Sequence, residues 1–160
     1  MRELTIEIPG RPPTPNSRRH WRAIAKDNEA WGERAVVACM DAISERPFGE
    51  WTGLEVIRPR IEGKRGKVTP LLTRAGNPIL YAVEYVMVFV VPTNTERDWD
   101  NAVASGKPLT DGLVRAGVLA GDSTKYIDPA GRRVTFLHQA TLSKVVIRVV
   151  EGLPPGTLGL

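Results

Sequence analysis

The chain has 160 residues and a mass of 17.6 kDa, which suits one domain and leaves little room for two. Hydrophobic residues make up 42% and charged residues 25% of it, as in globular proteins, and no apolar run reaches the ~20 residues of a membrane span. The single cysteine, Cys39, excludes an internal disulfide and a multi-cysteine zinc site. Together with the short apolar runs, this leads us to expect a cytoplasmic protein without a membrane partner. The net charge of +4 permits an anionic partner.

The first elements are a strand and a helix. Glu3–Ile8 alternates between polar and apolar residues, which predicts a half-buried strand, and the prolines that follow it exclude a helix there. Asp27 or Asn28 is then expected to cap a helix that runs to about Ile43. Cys39 lies on the apolar face of this helix, which indicates a small core residue rather than a nucleophile.

Residues 44–80 are divided by proline and glycine into short pieces. Leu54–Ile57 is a candidate strand, and Lys64–Lys67 has the character of an exposed loop. Since the chain shows neither an internal repeat nor a linker signature, we interpret 44–80 as an elaboration of a single domain over 1–151. Residues 152–160 are expected to form a flexible tail.

The second half reads as strand, helix and further strands. Tyr81–Val91 is apolar on both faces, which predicts a central strand covered on both sides. Apolar residues at helical spacing then predict a helix with Pro108 in its first turn and Gly117 at its C-terminal end. Short strands are expected at Lys125–Ile127 and Arg133–His138, around a turn at Asp128–Gly131, and an alternating strand at Lys144–Val150. The whole pattern predicts an α+β fold, a mixed sheet packed by two main helices.

Charge is distributed unevenly along the chain. Residues 1–80 hold 14 Lys/Arg and 10 Asp/Glu, residues 81–160 hold eight of each, and four of the latter acids fall within 98–122. A basic surface beside a tight acidic cluster is what a metal-dependent enzyme acting on nucleic acid needs. Chance clustering on a solvated face is the alternative.

Asp98 and Asp100 directly follow the predicted central strand. Residues two apart in extended chain point the same way, so both carboxylates are expected to face one pocket. Two such carboxylates repel each other unless a cation lies between them or one is protonated, and oxygen ligands favour Mg²⁺ or Mn²⁺. A turn after the strand is the alternative role for these residues.

Three further charged residues follow. Lys107 and Asp111 are four apart and share a helical face, and Asp122 comes after a glycine-containing turn that can return its carboxylate toward Asp98 and Asp100. Taken separately, the first two form an ordinary surface ion pair and the third a cap. Taken together, they indicate an acidic site with one lysine.

One motif in the second half gathers these residues: Arg97-Asp98-Trp99-Asp100-Asn101, then Lys107, Asp111-Gly112-Leu113, Ala116-Gly117-Val118-Leu119 and Asp122. The N-terminal half adds Ile8-Pro9-Gly10-Arg11-Pro12-Pro13, with Asn16 and Arg18-Arg19. Together they resemble the RusA family of Holliday junction resolvases, carried mainly by bacteriophages and prophages. The resemblance covers about 1–43 and 81–150, which makes 44–80 mostly an insertion.

The resemblance implies a homodimeric α+β endonuclease that needs Mg²⁺ and cuts paired strands at a four-way DNA junction in a bacterial cell. By position, the family's three catalytic acids, expected to bind the metal, correspond to Asp98, Asp100 and Asp122, and its catalytic lysine to Lys107. Asp111 and Asn101 match supporting positions. The chain departs from the family in two places. About three extra residues, within Ala102–Gly106, separate Asn101 from Lys107, and Gly121-Asp122 stands where the family often has two adjacent acids.

DNA contact is assigned to three basic clusters. Guanidinium groups hold phosphates, and a neighbouring aromatic ring can stack on an exposed base. The first cluster, interleaved with His20 and Trp21, is Arg18, Arg19 and Arg22; the second is Lys64, Arg65 and Lys67; the third is Arg132 and Arg133. Solvated basic loops are the alternative for each.

Two other functions stay open beside the junction resolvase. A protein that binds branched DNA without cutting it would keep the basic clusters and use the acids structurally. A nuclease acting on flaps or forks would share the site chemistry, with the 44–80 insertion reshaping the DNA surface. A small-molecule phosphatase is disfavoured by the basic first half and the lack of a nucleophile motif. A four-way junction has two-fold symmetry, so we expect two active sites in a dimer.

Overall fold

The structure is a computed structural model that describes residues 1–12, 20–47, 49–53, 55–57, 72–93 and 98–157. Within them the elements follow in the order β1 (Glu3–Pro9), α1 (Trp21–Ser44), β2 (Glu55–Ile57), β3 (Leu72–Arg74), β4 (Ala82–Val91), α2 (Trp99–Arg115), β5 (Arg132–His138) and β6 (Lys144–Glu151). The backbone of β2 and β3 is described without their side chains. Leu54 and the predicted loop at Lys64–Lys67 lie outside the described residues.

Four strands form one mixed sheet in the order β1-β6-β4-β5. β6 runs antiparallel to both β1 and β4, whereas β4 and β5 are parallel. β2 and β3 pair separately as an antiparallel two-stranded sheet. With the two helices this arrangement confirms the predicted α+β fold.

The core lies on the helix side of the sheet. The register places Ile6 and Met87 opposite Ile147, so the apolar residues of neighbouring strands share one face. Cys39 of α1 is fully buried in this core, as predicted. β4 lies inside the sheet, between β6 and β5, as expected of a central strand. Its second face is less covered than predicted, because Val86 and Val88 are only half-buried.

The two helices approach each other closely at glycine. A Cβ atom added to Gly112 of α2 would lie 2.6 Å from the Ala35 Cβ and 2.6 Å from the Gly32 carbonyl oxygen of α1. Any side chain at 112 would therefore force the helices apart. This contact holds the polar face of α2 next to the first half of α1.

Both helices begin earlier than predicted. α1 starts at Trp21, and the His20 ring, not Asp27 or Asn28, accepts the capping hydrogen bond from the Arg22 N–H at 3.3 Å. α2 starts at Trp99, so Pro108 lies inside the helix instead of in its first turn. Proline carries no N–H, so α2 continues past it without that hydrogen bond because tertiary packing outweighs the local cost.

Residues of the predicted insertion contribute to the core. Trp51, Ala75 and Ile79 are all buried there. At the other end of the chain, the Thr157 N–H and hydroxyl both donate to the Pro154 carbonyl, which forms a turn after β6. Among the described residues, no helix has the length and apolar character needed to cross a membrane.

Arg2 connects the N-terminus, the last strand and the segment before β4. Its guanidinium makes hydrogen bonds to Glu151 at 2.8 and 2.9 Å, reaches the carbonyls of Asn77 and Pro78, and stacks over the Trp51 ring at 4.4 Å. We expect Arg2→Ala to lower the free energy of unfolding by about 2 kcal/mol, since a half-buried carboxylate and two carbonyls lose their donor. Urea denaturation measures this loss.

The dependence of stability on pH tests whether Arg2 acts through Glu151. The Arg2 hydrogen bond lowers the pKa of Glu151, so this pair stabilises the fold above the ordinary pKa of glutamate and its contribution is lost as pH falls through the lowered value. Glu151→Gln keeps an acceptor for Arg2 and should cost less than Arg2→Ala. Equal losses from the two variants, or unchanged acid sensitivity in Arg2→Ala, would contradict this account.

Candidate functional site

Asp98 is the N-cap of α2. Its Oδ1 accepts hydrogen bonds from the N–H groups of Asp100 at 3.0 Å and Asn101 at 3.4 Å, and its Oδ2 accepts from the Asn101 side-chain amide at 3.2 Å. These bonds satisfy donors that the first helical turn leaves unpaired, and the carboxylate charge suits the positive end of the helix dipole. Asp98 therefore has a structural role at the place where a catalytic one was predicted.

Asp98 and Asp100 do not continue the strand geometry. The chain enters α2 at Trp99, so the expectation of two carboxylates on one side of an extended chain is wrong. Asp100 instead lies in the first helical turn, exposed to solvent. At 100° per residue it falls on the same helical face as Lys107, two turns and about 10 Å further along the axis. Between Asp100 and Lys107, the exposed residue on this face is Ala104, whose methyl group is too small to separate their side chains.

Lys107 joins two of the predicted carboxylates. Its Nζ donates hydrogen bonds to Asp111 Oδ1 and to Asp122 Oδ2, both at 3.1 Å. All three side chains remain open to solvent, with exposed fractions of 65% for Lys107, 50% for Asp111 and 43% for Asp122. The structure thus brings together three of the predicted residues at one accessible position.

A turn after α2 places Asp122 next to the helix. Gly117, in a left-handed conformation with φ of 74°, donates to the Val114 carbonyl, and the Val118 N–H donates to Leu113. This Schellman arrangement ends α2 where the sequence predicted. The next residues then join the segment before β4, where the N–H of Ala120 donates to Ile79. These bonds fix the path of the chain that leads to Asp122.

Position 121 in this turn has no room for a side chain. A Cβ atom at this position would lie 2.3 Å from the Tyr126 ring. The position therefore excludes a second acid beside Asp122 unless Tyr126 moves.

Electrostatics favour the charged forms of both partners. The hydrogen bond to Asp122, with a second one to Asp111, raises the pKa of the Lys107 ammonium above its ordinary value. The same hydrogen bond from Lys107 lowers the pKa of Asp122, and the nearby positive charge of Arg132 adds to this effect. Asp122 consequently stays ionised to a lower pH than an isolated aspartate, with its Oδ2 bonded to Lys107.

The side chains of Arg132 and Arg133 point to opposite faces of β5. The Arg132 guanidinium donates to the Asp122 carbonyl at 3.4 Å and lies 5.9 Å from the centre of the Tyr85 ring. Arg133 instead pairs with Glu84 at 3.8 Å. Neighbouring residues of a strand point to opposite faces, so the predicted pair is divided and Arg132 alone lies at the site.

The first basic cluster is described only in part. Arg22 lies in the first turn of α1, with its guanidinium 5.3 Å from the centre of the Trp21 ring, and Trp21 is 66% exposed. Such an exposed pair of a cation and an indole suits contact with nucleic acid. The other predicted contacts, Arg18, Arg19, Lys64, Arg65 and Lys67, lie outside the described residues.

A groove between α1 and α2 extends from Lys107. It has a volume of about 490 Å³ and includes Asn28 and Glu29 of α1, with Lys107, Asp111 and Arg115 of α2. Arg115 was missed by sequence reasoning, although its position four residues after Asp111 places it on the same helical face. Gly32 leaves the room for it, since a Cβ there would lie 3.2 Å from Arg115 Nη1.

The acidic residues suit a hard cation by their chemistry. Carboxylate oxygens are the ligands that Mg²⁺ prefers, and Asp98, Asp100 and Asp122 are all accessible to solvent or half-exposed. In the part of the chain that the structure describes, no three His, Cys, Asp or Glu side chains lie close enough together to hold a metal ion. Their oxygen ligands therefore fit Mg²⁺ by chemistry. Of the predicted acids in the described residues, Asp111 and Asp122 are the two that contact one common residue, Lys107.

The chain matches no protein-family model and no curated protein. The resemblance to the RusA family thus stands on the motif residues described above.

Proposed function

We propose that the chain is a RusA-like, Mg²⁺-dependent endonuclease that resolves four-way DNA junctions during recombination and repair in the cytoplasm of a bacterial cell. One observation supports this proposal above all others. The Lys107 ammonium bonds to Asp122 and Asp111 at 3.1 Å, on the helical face that also carries Asp100. A cation beside several accessible carboxylates suits metal-dependent phosphodiester hydrolysis, in which carboxylates hold the metal and a cation stabilises the phosphate charge.

Lys107 is suited to hold the scissile phosphate. An ammonium group has three N–H donors, and two of them bond to Asp111 and Asp122. The third N–H remains for a phosphate oxygen, where the positive charge stabilises the negative charge that develops during the reaction. The two aspartates hold the ammonium in position, so its orientation costs little when DNA arrives.

The carboxylates would supply the metal ligands. We assign Mg²⁺, which when bound lowers the pKa of a water molecule and neutralises phosphate charge, to Asp98, Asp100 and Asp122 on the resemblance. Among the described residues these three carboxylates do not form one cluster, so the ion and the DNA would have to draw them together. The hydrogen bond from Lys107 lowers the pKa of Asp122, so this carboxylate keeps its charge to a lower pH than an isolated aspartate does. Asp98 retains lone pairs beyond those used in capping α2.

Basic residues around the site would contact DNA. Arg132 lies next to Asp122, Arg115 lies in the groove beside Lys107, and Arg22 lies with Trp21 at the start of α1. These groups would position the phosphate backbone rather than read bases. A two-fold dimer would present two such sites to the two-fold junction, which paired cutting requires.

A second candidate is a protein that binds branched DNA without cutting it. The observation in its favour is that Asp98 caps α2 and that Lys107 and Asp122 neutralise each other, so both features also have structural roles. In this alternative the basic residues carry the whole function. A nuclease for flaps or forks is the third candidate, with the same site chemistry.

Cleavage of labelled DNA by the wild-type protein and by Asp100→Asn tests the proposal. Asp100 is exposed in the first turn of α2, so asparagine should leave the fold unchanged. We expect paired, symmetric nicks in a synthetic four-way junction with wild type and Mg²⁺, and none with EDTA or with Asp100→Asn. Fork, flap and linear duplex substrates should be cut far more slowly.

The other outcomes separate the candidates. Binding of the junction without cutting in both Mg²⁺ and Mn²⁺ would overturn the enzyme and favour the binding protein. Faster cutting of forks or flaps than of junctions would keep the catalytic site and replace the substrate.

A further inference from the structure

We propose that the groove between β1 and α1 binds an extended basic segment of a partner protein, which adds to the sheet as a strand beside β1. This groove has a volume of about 1010 Å³ and is separate from the groove beside Lys107. The proposal does not depend on the nuclease activity.

β1 is an edge strand whose outer side offers hydrogen bonds. Among the described residues, β1 pairs with β6 on one side and with no strand on the other. The carbonyl of Arg2 and the N–H of Gly10 bond toward β6, so even-numbered residues use their backbone groups on that side. By alternation, Thr5 and Glu7 direct their N–H and C=O groups to the outer side, and the Arg46 side chain bonds to the Glu3 carbonyl there. An added strand would pair with Thr5 and Glu7.

Small residues on α1 leave the groove open. Ala30, Ala38 and Ala42 line it, and their methyl groups leave a gap between the helix and the outer side of β1. Val37 also lines the groove and is 59% exposed. Apolar side chains of a strand beside β1 would fill this gap and cover Val37.

The charged residues of the groove are mainly acidic. Glu33, Asp41 and Glu45 line it together with Glu7, whose carboxylate already bonds to Lys144 at 3.1 Å. The one basic residue of the lining is Arg34, whose guanidinium stacks over Trp31 at 4.5 Å. A net negative groove attracts a basic occupant and repels nucleic acid, so the partner is a polypeptide and not DNA.

The sheet geometry defines the pattern of that segment. Residues opposite Thr5 and Glu7 would share their face, which is open to solvent and carries the Glu7–Lys144 pair, and so are expected to be polar, with lysine or arginine favoured by the net negative charge of the groove. Residues between them would point to the helix side, next to Ala38 and Ala42, and so are expected to be apolar. A second copy of β1 fits poorly, because antiparallel pairing centred on Thr5 would place Glu3 opposite Glu7.

Fluorescence anisotropy with a labelled peptide of about nine alternating lysine and valine residues tests the proposal. We expect saturable binding that is roughly fivefold weaker in Asp41→Lys, because this substitution makes the net charge of the groove two units more positive, and unchanged in Glu29→Lys. Both substitutions reverse one exposed acid of α1, but Glu29 lines the other groove. Hydrogen exchange should slow at the amides of Thr5 and Glu7 when the peptide binds, since these N–H groups then become bonded.

Three results would overturn the proposal. The first is no binding, or equal binding of a glutamate–valine peptide of the same length. The second is unchanged affinity of a lysine–valine peptide with N-methylated backbone, which would reduce the interaction to charge alone. The third is self-association of the protein that protects Thr5 and Glu7 without peptide, which would make a second copy the occupant.

Discussion

Asp122→Asn is expected to lower Mg²⁺-dependent cleavage of a four-way junction by about 10³-fold and to leave junction binding within about threefold. The asparagine amide oxygen can still accept the hydrogen bond from Lys107, so the local geometry is retained. What is lost is the negative charge and one ligand oxygen. A loss of this size corresponds to the several kcal/mol that a bound metal contributes to phosphoryl chemistry.

Asp128→Asn is the matched control for this variant. Asp128 lies in the following turn, where its Oδ1 accepts the N–H of Ala130 at 2.9 Å, a bond that asparagine also makes. It should cut at the wild-type rate. Single-turnover cleavage and a gel-shift titration in Ca²⁺ separate chemistry from binding. Wild-type cleavage by Asp122→Asn would remove Asp122 from the site, and a parallel loss of binding would assign it to DNA contact.

Lys107→Met is expected to lower cleavage by roughly 10²-fold and to change its pH dependence. The hydrogen bond from Lys107 holds the pKa of Asp122 below its ordinary value. Without it, that pKa rises, so Asp122 becomes protonated at a higher pH during acidification. The acid limb of the pH–rate profile should therefore move to higher pH, while the plateau falls because the phosphate loses its ammonium donor.

Lys107→Arg tests the role of charge separately. Arginine keeps the positive charge near Asp122, so the acid limb should stay near its wild-type position even if the rate falls. Carboxyl NMR titration of Asp122 measures the pKa directly and does not require activity. A pKa of Asp122 that is unchanged in Lys107→Met would contradict the coupling between the two side chains.

Much of the fold is readable from local patterns. Period-two alternation predicts β1 and β6 to within one or two residues, β5 begins one residue before its expected start, and the β-branched run predicts β4 as the central strand. The short strand expected at Lys125–Ile127 is wrong, because these residues form a turn with one isolated bridge at Ile127. The apolar face of α1 places Cys39 in the core. Helix starts are less readable, because capping by His20 and by Asp98 depends on where the backbone turns and not on residue type alone.

The candidate site combines both kinds of information. The spacing of Lys107 and Asp111 predicts their contact, since four residues are one helical turn. The contact between Lys107 and Asp122 crosses a turn of several residues and depends on the hydrogen bonds from Gly117, Val118 and Ala120. Arg132 reaches Asp122 only because β5 is parallel to β4 and begins beside Tyr85.

By itself, then, the sequence determined the α+β class, the main strands, the core face of α1 and the set of charged residues around 98–122, because these follow from side-chain periodicity and from contacts within one helical turn. The tertiary structure decided the rest. It placed Asp122 against Lys107, brought Arg132 to the Asp122 carbonyl and opened the groove beside β1. Such features depend on strand order and helix packing, which bring together residues far apart in the chain and are set by the free energy of the whole fold.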